Sequence, residues 1–220
     1  MLALLVALAL SGNIATEASS GTARNTMTVH LIRRCFRTAD CLPNNVVRGM
    51  KDETTAIWSS LDVRIAWIDS GAGSVAGRAD VDLRVLLEES AEPGLAWQPQ
   101  RGFLLAAVHK PETPGGSGLA RIWVTQVRQH AASIRLQGFP LASLPDSLTN
   151  LVLARGLGRA LAHEIGHYLL GTAQHRAHGL MRARFEPQEL LAPATARRYG
   201  LGHDDLEALN VCRLNPTLLP

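Results

Sequence analysis

His163-Glu164-Ile165-Gly166-His167 places two imidazoles and a carboxylate within five consecutive residues. Histidines at this spacing on an α-helix share one face, about a turn apart. Both rings can then bind one metal ion, while the carboxylate between them reaches a water on that ion. The chain offers a third imidazole at His175, after Gly171, and a methionine at Met181 within Gly179-Leu180-Met181. Three imidazoles on one Zn2+ ion leave a fourth position for water, whose pKa falls there toward about 7. Glu164, beside the ion rather than on it, suits a general base that takes the water's proton and hands it to a leaving amine. The expectation is one catalytic zinc held by His163, His167 and His175, with Glu164 as the catalytic residue.

The bland alternative is an amphipathic helix carrying two surface histidines, since H-E-x-x-H arises by accident in roughly one chain in a hundred of this size. Context argues against it. Leu161, Ile165, Leu169 and Leu170 make an apolar stripe, with Ala160 and Ala162 as strong helix formers beside it. Gly171 stands where a helix would stop, because glycine tolerates the left-handed conformation after the last turn.

From His163 to Met181 the chain resembles the active-site segment of the metzincin metallopeptidases. There H-E-x-x-H is followed by a glycine at a helix end, a third histidine and a methionine turn. The spacing departs from theirs: Gly171 comes four residues after His167 and His175 four after Gly171, each one more than is usual. One added residue rotates a helix by about 100°, so the turn cannot be copied over directly. This variant, H-E-I-G-H-Y-L-L-G-T-A-Q-H, is similar to small secreted bacterial proteins predicted to be metallopeptidases. The resemblance implies that His163, His167 and His175 are ligands, Glu164 the general base and Met181 an apolar floor beneath the metal. For Met181 the plainer alternative is core filler. Several metzincin groups place a tyrosine two residues after the methionine; here Arg182, Ala183 and Arg184 follow. Arg182 or Arg184 could steady an oxyanion, though solvated surface arginines are the plainer expectation.

Rival third ligands exist. His178 could bind if the turn is wide, and Glu186, Glu189 or Glu207 could serve as the glutamate ligand of thermolysin-like enzymes. The Gly-His-Met order favours His175, since it has no purpose in the glutamate arrangement. His30, His109, His130 and His203 carry no motif and are expected to be structural or exposed.

The elements needed to position these groups can be read along the chain. Thr26 to Arg34 alternates as a strand, and Pro43 to Leu61 reads as a helix with Val47, Met50, Ala56, Ile57 and Leu61 on one face. Val63 to Ile68, Val81 to Leu87, Phe103 to Val108 and Leu119 to Val127 read as strands. Pro145 to Leu170 is the metal-binding helix, with a possible break at Gly156 or Gly158, and Glu186 to Arg213 is a final helical region. The class is α+β. This order is similar to the metzincin catalytic domain, in which a twisted mixed sheet packs on the active-site helix and a C-terminal helix. By that resemblance Phe103 to Val108 is an antiparallel edge strand bordering the cleft.

A chain of 220 residues suffices for one domain with a substantial core. A net charge of +3 and no basic run interleaved with aromatics give nucleic-acid binding no support. Leu2 to Leu10 is too short to span a bilayer, which needs about twenty apolar residues, but it suits a signal peptide. Residues 1–18 are therefore expected to be a signal peptide and 19–220 a single domain, secreted or periplasmic, with no stable membrane insertion. The n-region lacks a basic residue, which sits poorly with this. Cys35 and Cys41 could close a small disulfide loop after export and leave Cys212 unpaired; three buried thiols are the equal alternative. The expected function is hydrolysis of peptide bonds in a peptide or protein substrate by a monomer. A non-catalytic zinc- or peptide-binding module and a zinc amidase or esterase are the alternatives.

Overall fold

A computed structural model describes residues 26–34, 41–69, 82–89, 106–109, 118–194 and 196–214. The expected signal peptide, Cys35 and Phe103 to Leu105 lie outside the described residues. Among those described, no helix is long and apolar enough to cross a membrane. Cys41 is disulfide-bonded.

β1 (Thr26–Arg33) is buried on both faces, with Met27, Val29 and Leu31 on one and Thr28 and His30 on the other. Strands so patterned belong in the middle of a covered sheet, and β1 is flanked in parallel by β2 (Arg64–Asp69) and β3 (Asp82–Glu88). β5 (Gly118–Trp123) continues the parallel order beside β3. β4 (Ala106–His109) closes the edge antiparallel to β5, with Val108 opposite Ala120. The sheet thus runs β2-β1-β3-β5-β4, four parallel strands and one reversed edge. With its helices this is an α+β fold carrying a mixed sheet.

α1 (Asn44–Ser59) and α3 (Asp146–Leu170) pack closely on one another. α3 runs unbroken through Gly156 and Gly158, at either of which the sequence allows a break. A Cβ at Gly158 would stand 2.8 Å from both Glu53 Cβ and the Met50 carbonyl oxygen, and one at Gly156 2.7 Å from a Val127 methyl. The missing side chains are what let neighbouring elements approach, and that packing keeps the helix continuous through positions of poor propensity. Thr54 donates to the Met50 and Gly158 carbonyls at 2.9 and 3.0 Å, and Trp58 Nε1 donates to the Ala162 carbonyl at 3.2 Å. α3 is therefore tied to α1 up to the residue before His163.

Two expectations are corrected. The run Leu119 to Val127 is not one strand: it turns at Trp123 directly into α2 (Val124–Ala132), with Val124, Val127 and Ala131 buried. Their spacing is helical, but an apolar β-branched run hides the change of period. α2 leads through a hairpin of β6 (Arg135–Leu136) and β7 (Phe139–Pro140), whose turn uses Gln137 and Gly138 at positive φ. The region Glu186 to Arg213 is three pieces, not one: a 3-10 helix (Pro187–Leu191), α4 (Ala196–Tyr199) and α5 (His203–Leu214). Pro187, Pro193, Gly200 and Gly202 punctuate it, as helix-breaking residues do.

Candidate metal centre

α3 delivers His163 and His167 from its last two turns and stops at Gly171, which takes the left-handed conformation at φ 64°. Beyond it the chain folds back, and His175 joins the other two rings. One nitrogen from each of the three imidazoles lies within 4.8 Å of the others. The Nε2 atoms of His163 and His167 stand 2.9 Å apart, and those of His167 and His175 3.3 Å. Ligands at about 2.0–2.1 Å on a tetrahedral ion would be separated by about 3.3 Å, so the spacing suits a single small cation.

The opposite nitrogens decide the chemistry of this cluster. His163 Nδ1 donates to the Leu180 carbonyl at 2.8 Å, and His167 Nδ1 donates to the Thr172 carbonyl at 2.7 Å. A carbonyl can only accept, so both Nδ1 atoms carry the proton and both Nε2 atoms present a lone pair. Two lone pairs face to face repel; a cation between them turns the repulsion into coordination. Backbone carbonyls on the far nitrogen are the usual way a ligating histidine is oriented. Burial lowers the pKa of His163 to about 4 against a weaker upward pull from the Leu180 carbonyl, and lowers those of His167 and His175 as well. The rings are held in the neutral form that binds metal. Three histidines thus lie close enough to bind a metal ion, and their donor set fits one.

Glu164 is buried and projects toward β4, where the Val108 backbone N–H donates to its carboxylate. β4 is the edge strand of the sheet, so Glu164 lies beside that edge. Burial pushes the carboxyl up to about 8, with the Val108 bond pulling the other way. An acid whose pKa rises on folding holds its proton more tightly in the folded chain. Its penalty is absent below the ordinary 4.5, grows as pH rises and is complete above about 8. In the metal-free protein, Glu164→Gln is therefore expected to raise the melting temperature more above pH 8 than below pH 4.5. Thermal unfolding in the presence of a chelator checks this; an equal shift at both ends would refute it.

Met181 lies under the same turn. It is buried, and a Cβ at Gly166 would collide with its Sδ. Gly179 bends the chain toward this position at φ 77°, against the Gly200 carbonyl, which accepts from Leu180 N–H at 3.0 Å. Phe185 meets the His163 ring edge-on, with centroids 5.9 Å apart.

The rival ligands lie elsewhere. His178, Glu186 and Glu207 are exposed, and Glu189 is engaged by Arg182 and by the Glu186 backbone N–H. Arg182 is not the solvated arginine expected: it is ion-paired to Glu189, with its guanidinium 4.5 Å from the Phe185 ring centre and 5.6 Å from that of Tyr199. Arg184 is exposed as expected.

Several contributors escape sequence reasoning because they are backbone atoms: the Leu180 and Thr172 carbonyls and the Val108 N–H. Two others left a trace. Arg155 and Arg159 precede His163 at four-residue steps, on the same face of α3. Arg159, 1% exposed, binds Glu53 at 2.7 Å and the Glu189 and Ala192 carbonyls, and Arg155 binds those of Leu190 and Leu191. Charged residues in register with the ligands signal a polar seam along α3. The comparisons with known proteins find no family model and no curated protein that matches this chain.

Proposed function

We propose that this protein is a zinc-dependent metallopeptidase of metzincin-like type. The observation that carries the reading is the convergence of three imidazoles whose lone pairs are freed by the carbonyls behind them, with a buried carboxylate beside the cluster but outside it. Zinc, when bound, supplies Lewis acidity and an acidified water. Everything else is done by the chain. His163, His167 and His175 would hold the ion. Glu164, whose burial raises the proton affinity of its carboxylate, would in its ionised form take the attacking water's proton and deliver it to the departing amine. β4 is the edge strand beside Glu164, and it is there that an extended peptide would pair with the sheet. Met181 fills the space beneath the helix turn carrying both histidines. Export rests on the apolar Leu2 to Leu10 run, and a secreted or periplasmic monomer is the corresponding proposal.

A peptide library incubated with the purified protein tests the reading. Cleavage that is abolished by a chelator and restored by zinc is the expected result. Zinc bound at the site without cleavage of any peptide would favour the non-catalytic module. Cleavage confined to simple esters or amides would favour the other alternative. A buried Glu164 speaks against the module, since a mere binding site has no use for a base at that position.

A further inference from the structure

We propose that Asp205 is a positioning residue for the metal centre: through Arg176 it fixes the loop that presents His175, so that helix α5 helps set the affinity for zinc. This rests on the reading of His175 as the third ligand.

The three imidazoles are not held equally. His163 and His167 ride on the buried end of α3. His175 sits on an exposed stretch in which Ala173 through His178 contribute nothing to the core. Beyond the stacking of the His175 ring on His163, no buried side chain anchors this segment, so its shape depends on polar ties. Some lie within the loop: Gln174 N–H donates to Thr172 Oγ1 at 3.1 Å, and Arg176 N–H donates to the Met181 carbonyl at 2.7 Å.

The tie that leaves the loop from beside His175 is the Arg176 side chain. Its Nε donates to both oxygens of Asp205, at 3.0 and 3.2 Å, and its Nη2 donates to Oδ1 at 2.7 Å. Asp205 is 2% exposed and lies in the first turn of α5, where a carboxylate is also favoured by the helix dipole. A guanidinium gripping a buried carboxylate through two nitrogens has its orientation fixed as well as its distance. The backbone of Arg176 is therefore pinned on both sides, and the residue before it is His175. The Gly200 carbonyl holds Leu180 from the same stretch of chain, just before α5. Without the grip of Asp205 the loop would keep its internal ties but lose the one that orients Arg176, and the ordering left to the ion would appear as weaker binding.

Zinc affinity is measured on the full chain by competition with a chromogenic chelator. The variants are Arg176→Ala, Arg176→Lys, Asp205→Asn, His175→Ala and the double variant of His175→Ala with Arg176→Ala. Loss of a group that orients a ligand typically weakens metal binding about 10- to 100-fold, and that is the expected effect of Arg176→Ala and of Asp205→Asn. Arg176→Lys, with a charge but no fork, should recover part of the loss. In the absence of His175, Arg176→Ala should weaken zinc no further, which separates positioning from a general loosening of the fold. Arg176 is an exposed side chain, so its variants carry the test even if Asp205→Asn does not fold. Wild-type affinity in Arg176→Ala, alongside weakened zinc in His175→Ala, would overturn this inference alone. An equal loss with and without His175 would overturn it too. Unchanged zinc in His175→Ala would overturn both it and the three-histidine reading.

Discussion

Glu164→Ala is expected to lower turnover about 10²- to 10⁴-fold while metal content stays at the wild-type level. The carboxylate is outside the imidazole cluster, so its removal takes nothing from the ion. On the proposed reading, what it removes is the group that accepts the attacking water's proton. Neither neighbour can substitute: Val108 offers only a backbone N–H, and the histidine Nδ1 atoms are already donating to carbonyls. Steady-state cleavage of a library-derived peptide, alongside metal analysis of the same preparation, reads both quantities. Unchanged turnover would remove Glu164 from the chemistry, and joint loss of metal and turnover would make it a ligand.

His175→Ala is expected to abolish most metal binding and with it activity. Two imidazoles at the end of one helix hold an ion poorly, since three protein ligands are the rule in catalytic zinc sites. His178→Ala should leave metal content unchanged, because that ring lies exposed and outside the cluster. Glu189→Ala should behave in a third way. It strips Arg182 of its ionic partner and the 3-10 helix of its cap, so melting temperature falls while metal stays. Metal analysis with thermal unfolding distinguishes the three. Metal retained by His175→Ala and lost by Glu189→Ala would transfer the site to the glutamate type.

The parts of this architecture that were legible in the sequence are those written in side-chain period or in special backbone needs. α3 announced itself through its apolar stripe, its paired histidines and the glycine at its end, and Gly171 does take the left-handed conformation. The β1, β2 and β3 strands lie within about a residue or two of their expected bounds. The parts not legible depend on tertiary neighbours. The helical spacing of Val124, Val127 and Ala131 is hidden by the apolar run that precedes it, because buried strands and buried helices draw on the same apolar residues. Arg182 looked like a solvated side chain because its partner, Glu189, meets it only when the 3-10 turn folds back. The glycines of α3 read as weaknesses in isolation and act as clearances once α1 and α2 are in place.

The collision that any side chain at position 166 would have with Met181 bears on how such a site is recognised. The five-residue motif is ordinarily written with two free positions. In this fold the second of them is fixed by a sulfur atom fifteen residues downstream, which takes the volume a β-carbon would need. Glycine at that position and methionine after the bend therefore form one signature with two distant halves. A pattern requiring both would pick out chains able to make this contact, where the histidines and glutamate alone admit every helix that happens to carry them.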